Sequence, residues 1–233
     1  VIKMNELYPM FATPCYGGVV TWQFTNSMIN LAESFTKAGI QFKTYMTGGD
    51  SVVDRARNDC VAEFLESNCS HLFFIDSDIE FNPQDALDIL TCGLDFVLAP
   101  YRKKTEEEKW TVTLLEKTTL ARLHPRNPSF RFILCAEGGA GFLCLSRSTI
   151  LRLTEGIQTY NGIRNDIPRR CPDLFKSIID KDIRIGEDQY LCRYWRAIGN
   201  QVWCSVDTKL THIGSGIRFE GDYAKFIQLQ IVK

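Results

Sequence analysis

HLFFIDSDIEF, residues 71–81, sets four apolar residues, Leu72-Phe73-Phe74-Ile75, against two acids separated by one serine, Asp76-Ser77-Asp78. A short apolar run bounded by polar residues is what a strand buried on both faces requires. The acids at its exit have two explanations. Asp and Ser are common where a strand runs into a turn. In extended backbone, however, residues two apart project to the same side. Both carboxylates would then address one hard divalent cation such as Mg²⁺ or Mn²⁺, which at phosphate sites often takes only one or two protein carboxylates. The Asp-x-Asp alone does not choose between them.

Upstream and downstream, strands alternate with helices. LYPMFATP (7–14) reads as a strand, and TWQFTNSMINLAESFTKAG (21–39) as a helix with apolar residues at helical period, closed by Gly39. IQFKTYMT (40–47) alternates as a strand does, and DSVVDRARNDCVAEFLES (50–67) reads as a helix capped by Asp50 or Ser51. After the opening strand come a helix at 82–93, with Asn82 as cap and Pro83 in the first position, and a buried strand at 94–100. This alternation predicts a mostly parallel sheet covered by helices, with ligands at the carboxyl ends of the strands. Thr13-Pro14, Thr47-Gly48, Asp76-Ser77-Asp78 and Pro100-Tyr101 would share that edge.

The second half has strands without long helices between them: KWTVTLLEK, SFRFILCAEGG and GFLCLS (141–146). A short helix at 147–156, a polar, basic loop at 161–173, a capped amphipathic helix at 186–199 and the strand QVWCSVD complete the pattern. The loop is long enough to serve as a mobile lid. No internal repeat or low-complexity linker is visible, and 233 residues suit one domain.

Composition narrows the function classes. Hydrophobic residues make up 45% and charged residues 24%, and the formal net charge of −1 speaks against a nucleic-acid partner. No run of about 18 apolar residues exists and no charged-then-apolar leader precedes the first strand, so a soluble chain without a membrane segment is expected. Nine scattered cysteines with no CxxC pair argue against zinc and for a reducing, cytoplasmic setting.

Further residue groups carry potential chemistry. Glu187 and Asp188 fall in the first turn of a helix, where acids are favoured by the helix dipole or can be held as a general base. His212, in LTHIGSG (210–216), is either structural or a ligand for Mn²⁺. Gly138, Gly139 and Gly141 allow close backbone approach of a ligand, or simply a tight turn or bulge. Arg55 and Asn58 lie one helical turn apart and face a ligand or pair with Asp54 or Asp59. Arg102-Lys103-Lys104 and Arg169-Arg170 are either solvated charge or a clamp for a departing anion.

Taken in order, Asp-x-Asp, the glycine-bearing strand, the Glu-Asp helix and the late histidine resemble the GT-A fold glycosyltransferases, the small virus- and phage-type members above all. ATPCYGG (12–18) and SVVDRARND (51–59) match the same pattern, and the resemblance runs from about residue 8 to 216. It implies an α/β fold of the nucleotide-diphospho-sugar transferase type, a Rossmann-like mixed sheet flanked by helices. One domain, 1–233, would comprise a nucleotide-binding half (1–100) and an acceptor and catalytic half (101–233). Asp78 and His212 would hold Mn²⁺ or Mg²⁺, with Asp76 on the ribose or a metal-bound water and Ser77 beside them. Thr13, Pro14 and Tyr16 would flank the nucleoside, Arg55 and Asn58 would face the donor, and Gly139 would lie beside the sugar. Asp188 would be the base and Glu187 a contact to acceptor or sugar.

The implied reaction moves a sugar from a nucleoside-diphosphate sugar, UDP-linked in this expectation, to a hydroxyl of a glycan or glycoprotein, with inversion favoured. For a viral chain the compartment would be the host cytoplasm. Two other classes stay open. Haloacid-dehalogenase-type phosphatases or phosphotransferases also carry Asp-x-Asp after an apolar strand, but near the chain start and followed by Thr or Val, where this chain has Ile79. A non-catalytic nucleotide- or glycan-binding module is the other.

Overall fold

The structure is a computed structural model that describes residues 6–115, 121–164 and 167–231. In chain order the elements are β1 (Pro9–Cys15), α1 (Trp22–Lys37), β2 (Lys43–Gly48), α2 (Val53–Glu66), β3 (His71–Ile75), β4 (Ile79–Glu80), α3 (Pro83–Thr91) and β5 (Phe96–Leu98). There follow β6 (Val112–Leu114), β7 (Arg122–Leu123), β8 (Arg131–Gly138), β9 (Phe142–Ser146), α4 (Arg147–Thr154), β10 (Thr159–Arg164) and β11 (Ile167–Pro172). The chain continues with β12 (Ile178–Asp180), β13 (Ile183–Ile185), α5 (Glu187–Ala197), β14 (Val202–Ser205), β15 (Thr211–Gly214), β16 (Ile217–Phe219) and α6 (Tyr223–Ile231).

The helices start where the sequence supplies an oxygen for an orphan backbone N–H. Thr21 Oγ1 accepts from Phe24 N, Asn82 Oδ1 from Gln84 N and Ser146 Oγ from Thr149 N. α2 departs from its expected start. Its first helical residue is Val53, because Asp50 Oδ1 instead accepts from Val52 N and the Arg55 guanidinium in the turn before it. Gly39 ends α1 at φ 68°, a left-handed conformation that side chains disfavour.

The main sheet runs β2-β1-β3-β9-β5-β14-β8-β6, with β7 also on β8. β1, β2 and β3 are mutually parallel, while β9 is antiparallel to both β3 and β5. The sheet is therefore mixed, and a strand from the second half of the chain lies between two from the first. β3 is buried along its whole length because both faces are covered. Leu72 and Phe74 pack in one core with Phe64 of α2 and Leu191 and Trp195 of α5. Phe73 and Ile75 pack in the other with Phe24, Leu31 and Phe35 of α1 and Ile89 of α3. The period-two alternation of a strand thus splits one apolar run between two cores.

Segment 161–173 is not an open lid loop. β10 and β11 form an antiparallel hairpin, and Arg169 fastens it to α2. Its guanidinium reaches Asp59 at 3.3 Å and Glu63 and Glu66 at 2.6 Å, and donates to the Tyr45 hydroxyl. Arg169 is therefore committed to α2, and Arg170 bonds Asn161. All nine cysteines are buried free thiols, and among the described residues no helix is long and apolar enough to cross a membrane.

Candidate functional site

The carboxyl ends of β1, β2, β3 and β5 share one edge, as the strand directions require. At the end of β3 the chain turns rather than staying extended: Ile79 N bonds Asp76 O at 3.1 Å. The two acids consequently separate instead of projecting to one side. Asp76 faces Arg57 and Gly141, whereas Asp78 faces His212 and Lys104.

The Asp78 group is assembled by β-pairing. β4 follows Asp78 directly and pairs with β15, setting His212 opposite Ile79, and Ile213 N bonds Asp78 O at 2.8 Å. His212 Nε2 then lies 3.5 Å from Asp78 Oδ2. His212 Nδ1 contacts the carbonyl of Arg102 at 2.9 Å. A carbonyl only accepts, so Nδ1 carries a hydrogen and Nε2 is the ring nitrogen turned toward Asp78, donating to it when it bears a hydrogen and free to ligate a cation when it does not. Lys104 Nζ donates to the same Asp78 oxygen at 2.5 Å. Burial raises the Asp78 pKa, but hydrogen bonds from His212 and Lys104 outweigh it and hold the carboxyl below its usual range.

A carboxylate oxygen and an imidazole nitrogen converging on one point, with the other ring nitrogen bonded to a backbone carbonyl, suit a divalent cation. Among the described residues no three His, Cys, Asp or Glu side chains cluster so as to hold a metal. Asp78 and His212 would supply two protein donors, leaving the other positions of any ion to ligands from outside this pair.

The second group centres on Arg57, whose side chain is only 4% exposed. It donates to Asp76 Oδ1 at 2.9 Å, to Glu187 Oε1 at 3.3 Å and to the Ala140 carbonyl at 3.4 Å, and lies over the rings of Phe74 and Phe175. Burial lowers its pKa, but Asp76 and Glu187 more than compensate, so it stays charged. Asp188, half-buried at the start of α5, has its pKa raised to about 6, first by burial and then by the adjacent Glu187.

Tyr101 joins the groups. Its ring edge meets His212 at 5.1 Å between centroids, and its hydroxyl accepts from Gly141 N at 3.2 Å. Burial and the nearby Asp76 keep that phenol protonated. A Cβ on Gly139 would fall 2.6 Å from the Tyr101 hydroxyl, and one on Gly141 would lie 2.6 Å from it and 2.7 Å from Asp76 Oδ2. The space behind Gly139 is taken by Tyr101 and Thr111, and that behind Gly141 by Tyr101 and Asp76.

Thr13 is buried at the end of β1 beside Pro14, and Tyr16 is 75% exposed in the turn that follows. That segment is tied to the acid turn by Thr21 N and Thr21 Oγ1, both donating to the Ser77 carbonyl. Arg55 lines a cavity of about 620 Å³ with Thr47, Gly48, Asp50, Asp59 and Tyr160, and its partner is Asp50 rather than Asp54 or Asp59. Asn58 does not share that face. It is buried, accepts from Leu174 N and Phe175 N, and donates to Phe175 O, so its amide anchors a loop instead of facing a donor.

Arg57 was not among the expected site residues, Tyr101 was expected only as part of the shared strand edge, and Lys104 was expected on a leaving group rather than on Asp78. The only sequence signal for Arg57 is its spacing from Arg55. Two residues apart on a helix point to opposite sides, so one of the pair had to turn inward.

A mixed α/β sheet with helices on both faces and polar groups gathered at one strand edge defines the class of fold. No family model matches the chain, and no curated protein does. Among solved structures, A197 from STIV is similar over 90% of this chain and 87% of its own, with 18% identity and a TM-score of 0.54. A glycosyltransferase involved in glycosylation of the major capsid of PBCV-1 matches over 62% of each chain at 10% identity and TM-score 0.35. S. aureus TarS 1–349 matches over 85% of this chain and 57% of its own at 13% identity and TM-score 0.41. At these values the likeness to A197 is one of fold, and the other two carry no further weight.

Proposed function

We propose that this protein transfers a sugar from a nucleoside-diphosphate sugar, UDP-linked, to a hydroxyl of a glycan or glycoprotein acceptor, with a divalent cation. The observation that carries the proposal is the meeting of Asp78 and His212, from segments far apart in sequence, within 3.5 Å at the strand edge, with the Glu187–Asp188 pair nearby across Arg57. The motif order that resembles GT-A glycosyltransferases supports the same reading.

In such a transfer the bond between the anomeric carbon and the diphosphate oxygen breaks while the acceptor oxygen bonds that carbon and loses its proton. Asp78 and His212 would hold Mn²⁺ or Mg²⁺, which supplies Lewis-acid charge to the departing diphosphate. Lys104, on the loop after β5, adds a second positive charge at that end. Asp188 takes the acceptor proton. A carboxyl with a pKa of about 6 is mostly ionised at neutral pH yet basic enough to receive it. Arg57 fixes the Asp76 and Glu187 side chains beside that base. The cavity between β2, α2 and the β10–β11 hairpin offers room for the nucleoside, with Arg55 on its wall.

Calorimetric titration of UDP with and without Mn²⁺ tests the proposal. Metal-enhanced binding is expected, and its absence removes the reading. A screen of nucleotide sugars for metal-dependent hydrolysis then names the donor.

A further inference from the structure

We infer that Lys104 is a built-in cation that occupies Asp78 until a divalent ion and a diphosphate arrive together, and that it then moves from carboxylate to phosphate. The inference rests on the proposed sugar-transfer site and assigns a regulating residue within it.

Three observations carry it. Lys104 Nζ lies 2.5 Å from Asp78 Oδ2, the oxygen that His212 Nε2 also faces. An ammonium there competes directly with any cation bridging that oxygen and that nitrogen. Its approach is also shaped by the backbone: the lysine stem lies over Gly214, where an added Cβ would fall 2.6 Å from Lys104 Cδ and 3.1 Å from Cε. Any side chain at 214 would force the lysine stem to shift. Finally, Lys104 belongs to the 101–110 segment, which supplies the Arg102 carbonyl that orients His212 and is folded back by Lys103 N on Lys109 O. One loop therefore sets both the ring that receives the ion and the charge that excludes it.

The exchange conserves pairing. When a divalent ion takes Asp78, the ammonium loses its partner beside a second positive charge, which is unfavourable unless an anion is at hand. A diphosphate supplies that anion. Ion and nucleotide should thus bind cooperatively, and each alone weakly, because neither by itself satisfies all three charges.

The test measures Mn²⁺ affinity by electron paramagnetic resonance on the full chain, without and with UDP, for the parent, Lys104→Met and Gly214→Ala. Removing one partly exposed charge pair should tighten binding of Mn²⁺ alone by up to about fivefold in Lys104→Met. Gly214→Ala, which keeps the lysine but displaces it, should move affinity in the same direction. The factor by which UDP tightens Mn²⁺ binding should shrink in both. Thermal melting checks that each variant is folded. If both bind Mn²⁺ no more tightly than the parent while the parent shows UDP-enhanced binding, the Lys104 role is wrong and the sugar-transfer reading stands. If the parent shows no Mn²⁺ binding even with UDP, the sugar-transfer reading fails and Lys104 has no ion to exchange.

Discussion

The guanidinium of Arg57, on α2, reaches the carboxylate of Asp76, beyond β3, at 2.9 Å from a position almost closed to solvent. A charge taken out of water this fully is tolerated only because Asp76 and Glu187 both answer it, and removing it leaves two carboxylates facing each other. Arg57→Met should lower unfolding stability by about 3 kcal/mol, the range for breaking a buried ion pair. Denaturant titration measures this. A loss below about 1 kcal/mol, the level of exposed pairs, would show that Arg57 does not hold these segments together.

Asp78→Ala should abolish the enhancement of UDP binding by Mn²⁺, since the remaining imidazole offers one neutral ligand. His212→Ala should weaken metal binding by roughly tenfold or more, as loss of an ordered ligand does. Calorimetry reads both, and unchanged metal dependence in either variant counts against the assignment.

Asp188→Asn should remove turnover while leaving nucleotide affinity within about twofold of the parent, a pattern expected of a group that acts only in the chemical step. The rate of the parent should fall as pH drops through about 6, where Asp188 takes up its proton. The folded-state pKa lies above the ordinary 3.8, so the folded protein holds this proton more tightly than the unfolded chain. The contribution of Asp188 to stability is thus most favourable below about pH 4 and is lost as pH rises through about 6. Asp188→Asn should therefore melt higher than the parent at pH 7 to 8, with the difference vanishing toward pH 4. An equal shift at every pH would refute the cause given for the raised pKa.

Gly141→Ala should destabilise by about 1–3 kcal/mol, the usual cost of overpacking. The new methyl would meet both the Tyr101 hydroxyl and Asp76. Denaturant unfolding gives the magnitude. A neutral result would mean that Tyr101 moves aside freely.

Arg169→Met should loosen the β10–β11 hairpin from α2. Hydrogen exchange across 159–172 should accelerate, with little change in β3 and β9, because those strands are held by the two cores. Unaltered exchange in the hairpin would show that the four contacts of Arg169 do not hold it down.

The parts of the fold legible in the sequence are those fixed by local pattern. β3 and its neighbours follow from apolar runs and caps, and the shared edge follows from their parallel order. Asp78 and His212 were legible as candidates because few histidines compete. What the sequence did not show depends on contacts between distant segments. Nothing local distinguishes the inward Arg57 from the outward Arg55, and nothing near Asn58 reveals Phe175 as its partner. The turn at Asp76–Asp78 defeats the extended-strand expectation because β4 must bend away to meet β15. The β10–β11 hairpin was hidden because its arginines and prolines obscure the alternation that marks a strand.

The pairing of β4 with β15 also fixes when the site can exist. During synthesis the Asp78 turn emerges early, while His212 leaves the ribosome only after β14. A nascent chain that has folded through β9 therefore has β1, β2 and β3 in place and no His212 imidazole to face Asp78. The Asp78–His212 contact therefore forms late, as a two-residue bridge between β4 and β15 that no shorter part of the chain can close.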